Sequence, residues 1–452
     1  MSINKVTILF LAALLQTASV IQAESQKLNI VLIMADDVGY ECFSAYGSKE
    51  FSTPRLDALA AKGIRFDHCH STPLCTPSRV NLMTGKSNVF NYVDFGVFPK
   101  GEPTFANHFK AQGYATAVAG KWQLLTTQNG ISPAEAGFDR HCVWNIPGTE
   151  RRRYWEPSLM HDGKVINHGE EKYGSTIIAD YLIDFIKTNK DKPFLAYYPM
   201  NLPHNPFHPT PLSKDRKSKN AKRNFIDMVA YMDHCVGRIE DILIELGLRE
   251  NTLLIFTADN GTNSNLTLDF FGTQRRGGKG YTHDHGTKVP LIINLPGRIQ
   301  AGQLNKDLIC FSDLFPTIVE AADLPAKKIT KGDGWSFWPQ CLGKAGKKRD
   351  WIYGYYFPRP YSQKFDVMYN HWEVAWARNK RHKLYRDGRF YDVIKDVREE
   401  KPLDERAELT VVRKSLQAAL ENYPRKGGKI DYERVTGVRK APGTKKKKPK
   451  GK

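Results

Sequence analysis

The hydrophobic pattern of the chain predicts buried strands that alternate with helices. Runs that are apolar throughout, as in strands buried on both faces, occur at Leu28–Met34, Tyr114–Gly120, Pro193–Met200, Asn251–Ala258 and Val289–Pro296. Between them lie helical patterns, one from Pro54 to just before Gly63 and a long amphipathic one over about Arg223–Leu248. This alternation predicts an α/β fold, with a mainly parallel sheet sandwiched by helices.

The pattern changes near residue 340. The stretch "CLGKAGKKRD" is typical of a linker, and the short aromatic runs "WIYGYYF", "WEVAWARN", "HKLYRDG" and "RFYDVI" follow it. The Asp387-Gly388 pair between the last two runs indicates a hairpin. We therefore predict a main domain over residues 24–340 and a smaller C-terminal antiparallel sheet domain over 341–435, with a terminal helix near Ala407–Tyr423.

The two ends of the chain have compositions of their own. Lys5 precedes an apolar run, Val6–Leu15, and small and polar residues lead to Ala23. The run is too short to span a membrane, so residues 1–23 are predicted to be a secretory signal peptide. No later segment suits a transmembrane helix, which predicts a periplasmic or secreted protein. Residues 436–452 are predicted to be a basic disordered tail.

Charge and cysteine content narrow the function classes only partly. The net charge of +19 suits an anionic substrate, but it is equally consistent with general solubility or with loose adhesion to polyanions. We predict no nucleic-acid partner. The seven cysteines are an odd number for an oxidising compartment. If one of them has another fate, the other six could form up to three disulfides, although nothing in their spacing requires it.

Polar side chains follow two of the predicted buried strands. Asp36 and Asp37 follow the first, and Asp259 and Asn260 follow the fourth. In open α/β sheets the carboxyl ends of the strands form the ligand-binding edge. Three carboxylates and an amide oxygen suit calcium or magnesium rather than zinc. Taken singly, each pair could also be a turn or a helix N-cap.

The stretch "LCTPSRVNLMTGK" predicts a helix with Thr76 as N-cap and Gly85 at its end. Cys75 then lies at a helix N-terminus, where backbone N–H groups favour an anion. Arg79 shares its face if the helix reaches back that far. Cys75 is either an acidic, reactive thiol or a buried structural cysteine. A zinc site formed by Cys75 with the adjacent residues of "HCH" (His68–His70) has poor spacing.

The motif "CTPSR" followed by "MTGK" resembles the signature of the sulfatase family, in which this cysteine is oxidised to formylglycine. Other motifs of the family follow in its order from residue 29 to about 290, and "LYRDGRFYDVIKDVREEKPL" resembles its C-terminal module. The resemblance implies an alkaline-phosphatase-like core. It also implies hydrolysis of aryl sulfates or sulfated saccharides, and a formylglycine-generating maturation enzyme as a partner.

The resemblance also implies roles for individual residues. The metal, usually calcium with magnesium possible, would be bound by modified Cys75 together with Asp36, Asp37, Asp259 and Asn260. Four further residues match the family's catalytic positions. Arg79 would hold the formylglycine hydrate, Lys121 and Lys279 would contact the sulfate, and His204 would contact the sulfate or the leaving group.

Two positions depart from the family pattern. Gln123 stands where the family usually has a histidine that helps to expel sulfate, and an amide cannot take a proton at neutral pH. The usual "EGG" reads "DHG" over residues 284–286. Either His283 or His285 supplies a base, or this loop merely varies.

Three questions of function stay open at this level. A phosphomonoesterase or phosphonate hydrolase on the same fold would use the same ligands. A binder of sulfated glycans that has lost turnover would also retain them, and Gln123 could be the trace of that loss. Substrate specificity is expected to depend on loops such as Gly148–Lys172 and Leu212–Asn224, although both could simply be solvated.

Overall fold

The computed structural model describes residues 27–127, 129–326, 332–357 and 373–425. The predicted signal peptide (1–23) and basic tail (436–452) lie outside the described residues. Within those ranges, no helix is both long and apolar enough to cross a bilayer.

One large sheet of eleven strands organises the chain. Its strands are β1 Asn29–Ala35, β2 Ile64–His70, β3 Ala115–Lys121, β4 Arg140–Trp144, β5 Ser158–His161, β6 Lys164–Asn167, β7 Phe194–Pro199, β8 Thr252–Ala258, β11 Lys288–Val289, β12 Leu291–Asn294 and β13 Gln303–Cys310; β9 Thr267–Phe270 and β10 Thr273–Arg276 form a separate hairpin. The order is β11-β2-β12-β8-β1-β7-β3-β4-β5-β6, with β13 beside β2. The central strands β8-β1-β7-β3-β4 are mutually parallel, which confirms the predicted fold class.

Helices fill the connections between these strands. The α-helices are Pro54–Ala61, Cys75–Thr84, Asn88–Asn91, Phe105–Ala111, Gly174–Thr188, Ala221–Glu245, Asp284–Thr287, Leu314–Ala321, Trp338–Cys341 and Thr410–Glu421. The long predicted helix is therefore present within three residues of its expected ends. Its buried side chains recur at helical spacing, for example Phe225, Val229 and Met232, and it packs against the helix Gly174–Thr188.

The last predicted strand, Val289–Pro296, is antiparallel to its neighbours, although the sequence predicted a mainly parallel sheet. Strand β12 is antiparallel to β8 and to β2. A parallel return needs a crossover connection, usually a helix. The chain between β8 and β12 instead forms the β9–β10 hairpin and a helix of one turn, so it re-enters the sheet from the end at which β8 stops.

The C-terminal part forms the predicted small antiparallel sheet. Its strands are β14 Ile352–Tyr356, β15 Val374–Arg378, β16 His382–Tyr385 and β17 Phe390–Asp392, in that order. This sheet is joined to the loop before the helix Asp284–Thr287, because Tyr385 Oη lies 2.7 Å from Thr282 Oγ1 and Arg378 forms an ion pair with Asp284. The expected boundary at residue 340 stays a prediction.

The cysteines form no disulfide in the structure. All seven are free thiols, and six of them are buried. The zinc alternative is not supported either. Within the described residues, the His, Cys, Asp and Glu side chains close enough to share a metal form two groups, and neither includes His68, Cys69 or His70.

Candidate active site

The two acidic pairs meet because their strands are neighbours. Strands β1 and β8 pair in parallel with Ala35 opposite Ala258, so the residues that follow each strand lie side by side. The Asp259 N–H donates to the Ala35 carbonyl (3.0 Å) and the Asp37 N–H donates to Asp259 Oδ1 (3.1 Å). Hydrogen bonds between strand ends therefore fix these carboxylates at one edge of the sheet.

Cys75 reaches the same point from a helix. The helix begins at Cys75 itself, with Leu74 as N-cap, and ends at Thr84, with Gly85 as C-cap at a φ of 65°. The prediction of Thr76 as N-cap is thus wrong. The Thr76 hydroxyl instead accepts the Gly96 N–H at 3.1 Å, a contact with another loop that the local sequence does not reveal.

The side chains at this edge could hold a metal ion. Cys75 Sγ and one oxygen each of Asp36 and Asp259 lie within 4.8 Å of one another, and Asp36, Asp37 and His204 form a second such group. Asn260 Nδ2 donates to Asp37 Oδ1 (3.0 Å), whereas Asn260 Oδ1 is buried with no hydrogen-bond partner among the described residues. An oxygen left unsatisfied beside three carboxylates fits a hard divalent cation.

Each carboxylate of the site also has a basic partner. Lys121 Nζ lies 2.8 Å from both oxygens of Asp36, Arg79 Nη2 lies 3.1 Å from Asp259 Oδ2, and Lys279 Nζ lies 2.5 Å from Asp37 Oδ2. When all three carboxyl groups are ionised, the three basic partners balance their charges. A bound divalent cation would leave two positive charges in a buried site, which favours an anionic substrate.

Burial and neighbouring charges shift the pKa values of these groups in opposite directions. Burial and the charge of Asp36 raise the pKa of Asp259 above its ordinary value, while the charge of Arg79 opposes that shift. The pKa of Asp36 falls, since Lys121, His204 and Arg79 outweigh the effect of burial. Burial raises the pKa of the Cys75 thiol. This direction favours the alternative of a buried structural cysteine for the unmodified thiol, and the alternative of an acidic, reactive thiol stays a prediction.

His204 lies above the acidic pair, next to Lys279. His204 Nε2 is 3.4 Å from Asp37 Oδ2 and 3.3 Å from Lys279 Nζ. On the other side of the ring, Arg153 Nη2 lies 2.9 Å from His204 Nδ1. Burial lowers the pKa of His204 to about 3, so the imidazole is neutral at pH 7.

Gln123 follows Lys121 at the end of β3 in a left-handed conformation, with a φ of 56°. Its N–H donates to the Asn145 carbonyl at 3.1 Å, and its Oε1 is buried with no hydrogen-bond partner among the described residues. A buried amide oxygen without a partner is costly unless a bound group donates to it.

The "DHG" residues are buried and lie in the one-turn helix Asp284–Thr287. His283 stacks on Tyr281 with ring centroids 5.0 Å apart, and the ring centroids of His285 and Phe270 are 4.2 Å apart. Among the described residues, no hydrogen bond or ring contact joins either imidazole to Cys75 or Gln123. That either histidine supplies a base stays a prediction, and the structure gives it no contact to support it.

Arg153 is a site residue that the sequence did not single out. It lies in the predicted specificity loop, within the run "RRRYW", and is 8% exposed. The arginine run was the available signal, but sequence could not tell which of its members is buried beside His204.

Glu41 is a second residue that the sequence analysis did not single out. Its burial makes the stability of the protein depend on pH, which can be tested. Its Oε1 accepts from Thr262 Oγ1 (2.5 Å), its Oε2 has no partner among the described residues, and burial raises its pKa from 4.5 to about 7. A raised carboxyl pKa makes the folded state bind more protons than the unfolded state between these values. Stability is therefore lost as pH rises from 4.5 to 7.

We expect Glu41→Gln to be neutral near pH 4.5 and to stabilise the protein by roughly 3 kcal/mol at pH 7 and above. Urea unfolding across pH 4.5–8 measures the difference between variant and parent. Glu250→Gln, at an exposed position, is the control and should show no such trend. A difference for Glu41→Gln that is constant with pH would contradict the assignment.

Comparison with known proteins identifies the family. The sulfatase family model matches residues 28–324, and the chain is 31% identical over 364 residues to arylsulfatase A of Homo sapiens, which covers 72% of this chain and 70% of the relative. The chain belongs to the sulfatase family. This sulfatase is also 30% identical over 349 residues to N-acetylgalactosamine-6-sulfatase of Rattus norvegicus, covering 68% of this chain and 64% of that relative.

The C-terminal part of the sulfatase matches a second model, "N-sulphoglucosamine sulphohydrolase, C-terminal", over residues 275–426. The crystal structure of Ps i-CgsB in complex with k-i-k-neocarrahexaose superposes with a TM-score of 0.75 at 23% identity, covering 88% of this chain and 93% of that chain. That likeness shows the alkaline-phosphatase-like fold. As a family member, the protein is a sulfuric ester hydrolase.

Proposed function

We propose that this sulfatase hydrolyses the sulfate esters of anionic saccharides or aryl alcohols, with formylglycine formed from Cys75. The observation that carries the proposal is the convergence of Cys75 Sγ with oxygens of Asp36 and Asp259 within 4.8 Å. That grouping unites the predicted site of modification with the predicted metal ligands. Asp37 and Asn260 complete the ligand set for calcium, or for magnesium.

The chemistry needs a nucleophile at Cys75 and fixed positive charge around it. Hydrated formylglycine would supply a hydroxyl that attacks the sulfur of the ester, and a divalent cation would favour ionisation of that hydroxyl. Lys121 and Arg79 are held by buried ion pairs with Asp36 and Asp259. Their fixed charges stabilise the sulfuryl oxygens without reorganisation during the reaction.

The proton for the leaving alcohol is held by Lys279 and His204, whose nitrogens lie 3.3 Å apart. Burial disfavours the charged Lys279, but Asp37 outweighs it and raises the pKa of the ammonium. The ammonium therefore keeps its proton at neutral pH and can give it to the leaving oxygen, while the neutral imidazole beside it offers a hydrogen bond to the same oxygen.

Mass spectrometry of the peptide over residues 71–86 tests the proposal directly. An aldehyde at Cys75 in protein made with a maturation enzyme, together with sulfate release from an aryl sulfate, is the expected result. Faster release of phosphate from the matched aryl phosphate would favour a phosphoesterase. Unmodified Cys75 with ligand binding but no turnover would favour a non-catalytic binder of sulfated glycans.

The predicted signal peptide supports a periplasmic or secreted location. A sulfated saccharide outside the cytoplasm is then the substrate class that fits both the predicted location and the net charge of +19. Sulfate release from N-acetylgalactosamine 6-sulfate, the substrate class named for one relative, belongs in the first panel.

Replacing Gln123 by histidine tests the departure from the family pattern. We expect Gln123→His to raise kcat by about tenfold or more, because an imidazole can take a proton from the formylglycine hydroxyl at neutral pH and an amide cannot. The pH profile of kcat should gain an acidic limb near the ordinary histidine pKa. Gln123→Asn controls for side-chain size. An unchanged kcat and pH profile would show that another group performs this step.

A further inference from the structure

Arg153 differs from the other buried basic residues in its charge environment. The described residues include seven arginines and lysines classed as buried: Arg79, Lys121, Arg153, Arg249, Arg349, Arg378 and Lys383. Six of them have a carboxylate within ion-pair distance. Arg153 has none among the described residues. An unpaired buried charge is strongly disfavoured, so a ligand that brings a negative charge to Arg153 would gain a strong interaction.

The surroundings hold the Arg153 guanidinium in place without neutralising it. Its Cζ lies 4.3 Å from the centroid of the Trp144 ring and 5.2 Å from that of Tyr154. Its carbonyl accepts a hydrogen bond from Asn201 Nδ2 at 3.1 Å, and its Nε is buried with no hydrogen-bond partner among the described residues. The result is a preorganised donor with hydrogen-bonding capacity left over.

Arg153 also lies where a substrate would extend from the reaction centre. Its Nη2 is 2.9 Å from Nδ1 of His204, whose Nε2 faces Asp37 and Lys279. Arg216 stacks on Trp155, with its Cζ 4.2 Å from the ring centroid. It belongs to the second predicted specificity loop, Leu212–Asn224, whose last four residues form the start of the helix Ala221–Glu245. The two predicted specificity loops thus contact each other at Trp155, two residues after Arg153, and each contributes an arginine.

We propose that Arg153 anchors a second anion subsite. It binds a carboxylate or a further sulfate group of the substrate, next to the sulfate ester that is cleaved. The inference rests on the proposed function and names its substrate class: a saccharide that carries at least two anionic groups. Arg216 at the exposed rim extends the positive surface toward a longer polyanion.

Binding to the Cys75→Ala variant in calcium tests the subsite without turnover. Calorimetry compares two matched pairs of ligands. One pair is N-acetylglucosamine 6-sulfate and glucosamine 2-N,6-O-disulfate. The other pair is N-acetylgalactosamine 6-sulfate as a monosaccharide and the disaccharide in which the same sugar is joined to a uronic acid. We expect the doubly anionic member of at least one pair to bind about 10- to 100-fold more tightly, the usual gain from hydrogen bonds to charged groups. The responding pair shows whether the second group is a sulfate or a carboxylate.

Adding Arg153→Gln should abolish this ratio, and Arg153→Lys should leave an intermediate one. Arg152→Gln is the matched control, because Arg152 is exposed and paired with Glu150 and Glu156, and it should keep the full ratio. Equal binding within both pairs would overturn the subsite. So would an equal loss for both members in Arg153→Gln, which would make Arg153 a positioning residue for His204. A lack of sulfate release by the mature enzyme would instead count against the proposed function alone.

Discussion

Replacement of Cys75 by alanine is expected to reduce sulfate release by roughly five orders of magnitude, the scale on which removal of a nucleophile acts. The Cys75 side chain is the proposed source of the attacking hydroxyl. None of the basic groups around it can replace it, since Lys121 and Lys279 are engaged with Asp36 and Asp37. Cys75→Ser should be equally inactive unless a maturation enzyme that acts on serine is present.

The same variant should stay folded, and this separates chemistry from stability. Cys75 is one small side chain at the first position of a helix that is buried along its whole length. Its loss should lower the unfolding temperature by only a few degrees. Cys235→Ala removes an equally buried thiol from the helix Ala221–Glu245, and it should be destabilised similarly while it keeps its activity. Full activity in Cys75→Ala would refute the proposed mechanism.

The parallel core was predictable from sequence because its strands are buried on both faces. Strands β1, β3, β7 and β8 are nearly continuous apolar runs with turn residues on either side. Strand β2 has the sequence "IRFDHCH", with polar residues at half-buried positions, so it does not stand out. Strands β5 and β6 have four residues each, and only their pairing with each other and with β4 defines them. Such pairing depends on distant segments and not on local pattern.

The site residues that follow buried strands could be predicted from the sequence, whereas the positions of those in loops could not. Asp36 and Asp259 follow buried strands, and neighbouring parallel strands must bring such residues together. The burial of Arg153 and the left-handed backbone of Gln123 arise from packing between segments far apart in the chain. Sequence could name the loop that contains Arg153, but not the single guanidinium that faces His204.

Removal of divalent cations is expected to abolish activity and lower the unfolding temperature, and calcium should restore both. Binding to the folded state alone stabilises it by about 3 kcal/mol when the free ion exceeds its Kd a hundredfold. The carboxylates of Asp36, Asp37 and Asp259 are fully buried, and Asn260 Oδ1 lacks a partner among the described residues. A bound cation would satisfy that oxygen. Only a cation that binds oxygen ligands would stabilise the folded state in this way.

Scanning calorimetry of the Cys75→Ala variant measures this stabilisation independently of turnover. Calcium should shift its unfolding temperature upward, and magnesium should do so less, because magnesium demands a stricter octahedral geometry. Asn260→Ala should require about tenfold more calcium for the same shift. Asn263→Ala removes a nearby side chain that accepts a hydrogen bond from the Asn265 N–H, and it should leave the shift unchanged. If chelation and calcium moved the unfolding temperature of neither the parent nor Cys75→Ala, the buried carboxylates would be balanced by Lys121, Arg79 and Lys279 alone, and the site would not bind a metal.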